Sequence, residues 1–197
     1  MTNPYPIINI PHPTLKQTSS TIETINDDIR TQAARMIETM KQANGIGLAA
    51  NQVNIANRLF VMGLPDQCWE YGDTNKDGIR TIQASYRSGE AEEEATTLRI
   101  FINPEIIWES EERSTYPEGC LSIPQQYADI IRPAQVRVKF QDENGETIEE
   151  LFEGLDSHCV QHEIDHLNGV LFIDYLSSLK RNMIIKKVKK LTKASLL

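Results

Sequence analysis

The stretch QHEIDHLNGVLF, residues 161–172, decides how the rest of the chain is arranged. His162 and His166 are four residues apart, so both imidazoles project from one face of a helix with about 3.6 residues per turn. This spacing lets two rings bind one cation, and Glu163 beside the first ring is placed to take a proton from an attacking water. The pattern predicts a metal-binding helix. The alternative is a solvated helix face with the same residues.

A third metal ligand is needed, because a catalytic site of this kind has three protein ligands and one open position. Downstream of His166 the chain has neither His nor Glu, and Phe172 stands where one group of HExxH proteases has a third His. The missing ligand is therefore expected upstream. Candidates include Cys120 and Cys159, and the latter lies three residues before His162 on nearly the same helix face. Either cysteine alone could instead be a small buried apolar residue.

Three motifs follow one another along the chain: GIGLAANQ at 45–52, EGCLS at 118–122 and QHEIDHLNG at 161–169. Together they resemble the three motifs of the peptide deformylase family, and the similarity extends over nearly the whole chain except about residues 66–97. That family removes the formyl group from the N-terminal formylmethionine of newly made proteins. The resemblance therefore implies a metal-dependent hydrolase that acts on N-formylmethionyl nascent peptides and releases formate.

The resemblance also implies a role for each motif residue. The implied metal ligands are Cys120, His162 and His166. Glu163 is implied as the acid/base, while the side chain of Gln52 and the backbone N–H of Leu121 are implied to stabilise the developing oxyanion. The implied cofactor is one divalent cation, iron(II), which zinc, nickel or cobalt can replace in a site of thiolate and imidazoles.

An apolar pocket beside the metal is expected to take the methionine side chain of the substrate. The candidate pocket residues, chosen by their position near the motifs, are Ile46, Gly47, Leu155, His158 and Cys159. His158 departs from the aliphatic residue that relatives often carry, which leaves the shape and polarity of the pocket open. Tyr127 stands where some relatives have Arg, so substrate contacts there cannot be transferred.

Two other classes of function compete with this interpretation. One is a different metallopeptidase that uses the same HExxH helix on internal peptide bonds. The other is a non-catalytic metal-binding module, although a structural site would be closed by four protein ligands.

Length and composition are those of an ordinary soluble protein. The chain has 197 residues, of which 40% are hydrophobic and 24% charged, a size that one core can fill. No apolar run approaches the roughly 18 residues of a membrane span, and the N-terminus shows no secretory or organellar leader. Three scattered cysteines do not predict a disulfide framework. We expect a single cytoplasmic domain over residues 1–197, with neither a membrane nor DNA as partner.

The net charge of −8 is unevenly distributed. Residues 180–197 contain seven Lys or Arg and no acid. Residues 177–191 have apolar side chains at helical spacing, which predicts a terminal amphipathic helix. Family members with a basic C-terminal helix resemble proteins that dock on the ribosome, and ribosomal RNA would attract these cations. A helix that packs on the body with its lysines in water is the alternative.

Strands that precede one buried helix, without regular βαβ alternation, predict an α+β fold. The resemblance implies short antiparallel β-sheets wrapped around a central HExxH helix. We expect a helix over 26–43, strands at 58–64, 98–102 and 130–140, and a hairpin turn at 142–145.

Three local expectations are specific enough to test. Asn103-Pro104 should break the second strand, with residues 105–108 continuing as an extended edge. Asp156 or Ser157 should cap the central helix. The segment at about 66–97 is expected to be a loop insertion or ragged hairpin. Within it, residues 73–78 imitate the start of an EF-hand loop, but the twelfth position is Ala84, which favours a simple turn.

Overall fold

The computed structural model describes residues 3–65, 69–84 and 96–194. Three α-helices lie in these ranges: α1 (Asp27–Gln42), α2 (Gly154–Leu167) and α3 (Ser178–Ala194). The strands are β1 (Gly47–Ala49), β2 (Leu59–Pro65), β3 (Trp69–Thr74), β4 (Arg80–Ala84), β5 (Thr96–Glu109), β6 (Arg113–Cys120), β7 (Ile123–Pro133), β8 (Gln135–Gln141) and β9 (Thr147–Glu153). The predicted α+β class is confirmed.

Two sheets surround α2. The first has five strands in the order β1-β2-β5-β8-β9, and the second has four in the order β3-β4-β6-β7. Helix α2, which carries the HExxH pattern, contacts strands of both sheets. The described strand pairs are antiparallel except that β4 runs parallel to β6, with Arg80 opposite Ser114. This parallel pair departs from the expected antiparallel sheets.

Helix α1 forms where the sequence predicts it. Asn26 is the N-cap, and its side chain accepts a hydrogen bond from the backbone N–H of Ile29. One face of α1 buries Ala33, Met36 and Met40 in the apolar cluster that also contains residues of β1 and β2. The helix therefore supports the strand that carries the first motif.

The expectation that Asn103-Pro104 breaks a strand is wrong. Strand β5 continues through this point with a shift of register, and Asn103 takes a left-handed conformation at φ 51°. Asparagine tolerates this conformation, and a bulge leaves proline without a ladder bond to make. The Asn103 side chain also bonds both backbone groups of Ile22, which holds the bulge in place.

The single strand expected at 130–140 is two strands, β7 and β8, separated at Ala134. Pro133 has no N–H to donate, and the Ala134 N–H donates to the carbonyl of Glu112. The chain therefore passes from the four-stranded sheet to the five-stranded one at this point. The turn at 142–145 and the strand that follows it are as predicted.

The predicted caps of α2 are also wrong. The helix begins at Gly154, its N-cap is Glu153, and no side chain caps it. Gly154 has φ 54°, and the Trp69 ring occupies the space that a Cβ would need. Asp156 instead accepts a hydrogen bond from Trp69 Nε1 at 2.9 Å. Gly169, with φ 72°, lies just after the end of the helix.

The described part of the insertion, residues 69–84, is the β3–β4 hairpin. The Asn75 side-chain oxygen accepts from the N–H groups of Asp77 and Ile79, so the stretch that imitates an EF-hand is a turn. Residues 66–68 and 85–95 of the expected insertion lie outside the described residues. Ile82 of β4 is buried in the same apolar cluster as Leu155.

Helix α3 packs on the body by a narrow apolar stripe. Ile184 and Val188 are buried in a cluster with Leu15 and Phe172. Leu179, by contrast, is 73% exposed. In the described part of the chain, no helix is both long and apolar enough to cross a membrane.

Candidate active site

Three side chains that can bind a metal converge between the two sheets. Cys120 is the last residue of β6, and His162 and His166 project from α2. Their ligand atoms all lie within 4.8 Å of one another, and Cys120 Sγ is 3.1 Å from His166 Nε2. One sulfur and two imidazole nitrogens form a donor set that suits a divalent transition metal. The structure thus brings together the three residues that the motifs assign to the metal.

Cys159, the other candidate cysteine, lies apart from this group. Its Sγ contacts the backbone carbonyl of Ile46 at 3.7 Å, and its side chain is buried in an apolar cluster with Leu155. Within the described ranges, the possible metal-binding group around the two histidines includes Cys120 and not Cys159.

A buried carboxylate orients the first histidine. Glu118 Oε2 accepts from His162 Nδ1 at 2.9 Å, so the Nε2 lone pair of His162 is left for a cation. Arg132 donates to both oxygens of Glu118, at 2.5 and 3.0 Å, and also to Asp165 at 2.8 Å. Glu118 and Arg132 are 4% and 3% exposed, so their charges balance each other away from water.

The pKa values of these groups follow from burial and hydrogen bonding. Burial favours the neutral form of Glu118, but hydrogen bonds from His158, His162 and Arg132 hold its pKa well below the usual range. Burial lowers the pKa of His166 well below its ordinary value. His166 is therefore a neutral ring, the form in which imidazole binds metals.

Glu163 lies beside the metal-binding group with one oxygen unsatisfied. Its Oε2 is buried and has no hydrogen-bond partner among the described residues. Burial raises the pKa of this carboxyl to about 7. A Cβ on Gly47 would collide with the Glu163 carboxylate, which explains the need for glycine there. A buried carboxylate with one unpartnered oxygen next to three metal donors fits a site built for a cation and a water.

Gln52 has a fixed orientation at the same site. Its Oε1 accepts from the Ala49 N–H at 2.8 Å, so its amide hydrogens point the other way. Nε2 lies 3.4 Å from Cys120 Sγ and 3.3 Å from Ser122 Oγ. Leu121 occupies the turn between β6 and β7 and lines the same cavity. Gln52 Nε2 is therefore a candidate donor to a substrate oxygen beside the metal-binding group.

A cavity of about 420 Å³ opens onto these residues. Its walls include the predicted pocket residues Ile46, Gly47, Leu155, His158 and Cys159, together with Tyr116 and Tyr127. Both ring nitrogens of His158 are bonded within the protein, to Ser114 Oγ at 3.1 Å and to Glu118 Oε1 at 3.2 Å. The ring is 1% exposed, so it lies inside the protein and not at its surface.

Several residues of the site were missed from the sequence. Glu118 belongs to the EGCLS motif and could have been singled out as a charged residue next to a candidate ligand. No motif marks Arg132. It reaches Glu118 because strands β6 and β7 pair, with Arg132 opposite Ser114. Asn51, inside the first motif, donates from Nδ2 to the carbonyl of His166.

Metal-assisted hydrolysis needs a general base within reach of a water and donors where negative charge develops. Glu163, with its unpartnered Oε2, and Gln52, with Nε2 3.4 Å from Cys120 Sγ, are the candidates for these two places beside the three metal donors. On fold and site the chain is therefore placed among the metal-dependent hydrolases with an HExxH helix.

Comparison with known proteins narrows this class. A family model described as polypeptide deformylase matches residues 4–182. The peptide deformylase of Novosphingobium aromaticivorans is 47% identical over 190 residues, 96% of this chain and 97% of that relative. The crystal structure of peptide deformylase from Ehrlichia chaffeensis matches with a TM-score of 0.83 at 34% identity, covering 99% of this chain and 100% of that one. A structure from the same organism in complex with actinonin has a TM-score of 0.79 at 35% identity and covers 95% and 96%.

The chain belongs to the polypeptide deformylase family. The resemblance inferred from three motifs is confirmed. Membership implies a divalent metal and a formylmethionyl peptide as substrate, and the Cys120, His162 and His166 group could bind such a metal.

Proposed function

We propose that this deformylase removes the formyl group from N-formylmethionyl nascent peptides in the cytoplasm with iron(II) as its metal. Cys120, His162 and His166 hold the ion, and zinc, nickel or cobalt can take its place. The observation that carries the proposal is the unpartnered Oε2 of Glu163 beside this group at the wall of the cavity. When bound, the cation supplies Lewis-acid chemistry that acidifies a water and polarises the formyl oxygen.

Glu163 moves the protons of the reaction. Its carboxylate accepts a proton from the attacking water as the water oxygen bonds to the formyl carbon. It then delivers that proton to the amide nitrogen as the carbon–nitrogen bond breaks, so the peptide leaves as an amine and the formyl carbon as formate. Its Oε2 is buried without a hydrogen-bond partner among the described residues, so this oxygen can accept and return the proton.

Gln52 and Leu121 stabilise the oxygen on which charge develops. The Gln52 amide is fixed through Ala49, and its N–H group points toward Cys120. The backbone N–H of Leu121 is the second donor. Preorganised donors of this kind stabilise the transition state without reorganising during the reaction.

The apolar wall of the cavity takes the methionine side chain. Ile46, Gly47, Leu155, His158 and Cys159 line it. Because both His158 nitrogens are bonded within the protein, the ring offers no unpaired polar atom to the thioether. A formyl carbon carries only hydrogen, so a narrow approach to Glu163 admits it and excludes bulkier acyl groups.

The test is formate release from formyl-Met-Ala-Ser by protein purified without oxygen, with the metal content measured on the same sample. Acetyl-Met-Ala-Ser is the matched control and should remain intact. A general HExxH peptidase would cleave internal bonds of the blocked peptide without releasing formate, and a non-catalytic module would leave both peptides unchanged. Either of these results contradicts the proposal.

We also propose that α3 docks on the ribosome, where nascent chains emerge. Its exposed lysines are Lys180, Lys186, Lys187, Lys189, Lys190 and Lys193. Ile184 and Val188 face the body, so the charged side of the helix is available to phosphate-rich RNA. The competing interpretation is a helix whose lysines only face water.

A further inference from the structure

His158 is the buried histidine of the site to which motif matching gives no catalytic role. It lies one helical turn before His162, on the same side of α2, and is 1% exposed. Glu118 is a carboxylate and can only accept hydrogen bonds, so His158 Nδ1 must carry a hydrogen and donate to it. Ser114 Oγ satisfies the other nitrogen, and Ser114 is fully buried.

Glu118 thereby receives four hydrogen bonds. Oε1 accepts from Arg132 Nε and His158 Nδ1, and Oε2 accepts from Arg132 Nη2 and His162 Nδ1. Four donors use the full accepting capacity of a carboxylate, so this group, which is 4% exposed, cannot rotate without losing a hydrogen bond. His158 is therefore one of the groups that fix the oxygen bonded to His162.

We propose that His158 is a positioning residue for the metal-binding group: with Ser114 and Glu118 it forms a buried hydrogen-bond chain that fixes the ring of His162. This hydrogen-bond chain extends beyond the metal-binding group. Ser114 of β6 stands opposite Arg80 of β4, so the hairpin strand supports its outer end. Partners that orient a metal-binding histidine raise metal affinity, because the ring then needs no reorganisation when the ion enters. This proposal rests on the metal assignment made under the proposed function.

The variants separate positioning from lining of the pocket. His158→Asn places an amide N–H near the position of Nδ1 and can keep the bond to Glu118. His158→Gln places its amide near the position of Nε2, so it keeps the Ser114 side and loses the Glu118 bond. His158→Leu removes both bonds but keeps the cavity wall apolar and similar in volume. Val160→Ala is the matched control, since Val160 is a fully buried apolar residue of the same helix.

The main measurement is the affinity of each purified protein for cobalt(II), by competition with a chelator, with the visible spectrum of the cobalt form as a signature of ligand geometry. We expect His158→Leu and His158→Gln to bind the ion roughly three- to tenfold more weakly, less than the 10- to 100-fold typical of direct partners of a metal ligand. His158→Asn should stay within about twofold of the parent. Ser114→Ala, which keeps the ring and removes its outer partner, should fall between them.

Equal cobalt affinity and equal spectra in all three His158 variants would overturn the proposal and leave the ring as a lining residue, detectable only in KM for formyl-Met-Ala-Ser. A loss of affinity in Val160→Ala as large as in His158→Leu would overturn it too, because any loosening of α2 would then suffice. If His158→Leu does not fold, the order of the Asn, Gln and Ser114→Ala proteins still decides. Absence of formate release by the parent would refute the proposed function but would leave the affinity order readable.

Discussion

Helices α2 and α3 are similar in length but differ in what they bury. All but two of the fourteen residues of α2 are buried, including His158, His162 and Glu163. In α3, by contrast, Ile184 and Val188 are buried in a core cluster, Ile185 packs against it, and the lysines are exposed. A polar group inside a protein is costly unless it is bonded, so α2 is stable only with its partners in place. Helix α2 is therefore held in place by the hydrogen bonds of its buried polar side chains as well as by apolar packing. Helix α3 is held by apolar packing along one stripe.

The largest expected effect on metal binding and activity comes from removing Cys120, the metal ligand that β6 places beside α2. Cys120→Ala should strip the metal and abolish formate release, because one of three protein ligands is lost. Cys159→Ala is the matched control: it also removes a thiol near the cavity but should keep the metal and change at most the KM for the formyl peptide. Metal analysis and formate release on both proteins make the comparison. Loss of metal from the Cys159 protein alone would move the site onto the helix.

The second effect separates the acid/base from the ligands within α2. Glu163→Gln keeps the shape of the side chain but cannot accept a proton, so formate release should fall by at least about 100-fold. The metal should stay bound, since Glu163 is not among the three donors. The exposed Glu149→Gln change is the control and should be silent. Loss of the metal together with activity would identify Glu163 as a ligand instead.

The helices also differ in the sequence signal that predicted them. Apolar spacing predicted α1 and α3 to within about three residues at either end, because each packs one stripe of side chains. Helix α2 has polar residues on its buried side, so the spacing of its apolar residues did not predict it. The HExxH pattern and the other two motifs predicted it instead. Its start was missed since Trp69, far away in sequence, fills the space at Gly154 and bonds Asp156.

Contacts made through strand pairing could not be predicted either, because they also join residues that are far apart in sequence. Arg132 reaches Glu118 across β6 and β7, and nothing in the sequence around Arg132 marks it as buried. The parallel pairing of β4 with β6 likewise depends on tertiary contacts. The three ligands and Glu118 lie in sequence motifs, whereas Arg132, which donates to Glu118, is brought to the site by the fold.

The third effect tests whether α3 is held by its apolar stripe. Ile184→Ala should lower the free energy of unfolding by about 2–4 kcal/mol, because it empties a buried site that the cluster fills only in part afterwards. Leu179→Ala is the matched change at a residue 73% exposed and should stay within about 0.5 kcal/mol. Urea unfolding of both proteins measures the difference. Equal losses would mean that α3 contacts the body differently in solution.

The smallest expected effect concerns the charged side of α3, and it decides whether this helix has a role beyond packing. A truncation would also remove Ile184 and Val188, so substitution is the cleaner change. Replacing Lys186, Lys187, Lys189 and Lys190 by Ala keeps the buried stripe and removes four exposed cations. If α3 docks on ribosomal RNA, co-sedimentation with ribosomes should weaken by roughly tenfold at low salt, and its salt dependence should become shallower.

Formate release from formyl-Met-Ala-Ser should not change, because these lysines lie outside the cavity. Lys76→Ala, an exposed lysine in the β3–β4 turn, is the control. Identical sedimentation of the parent and the four-lysine variant across a salt series would show that the lysines of α3 only face water.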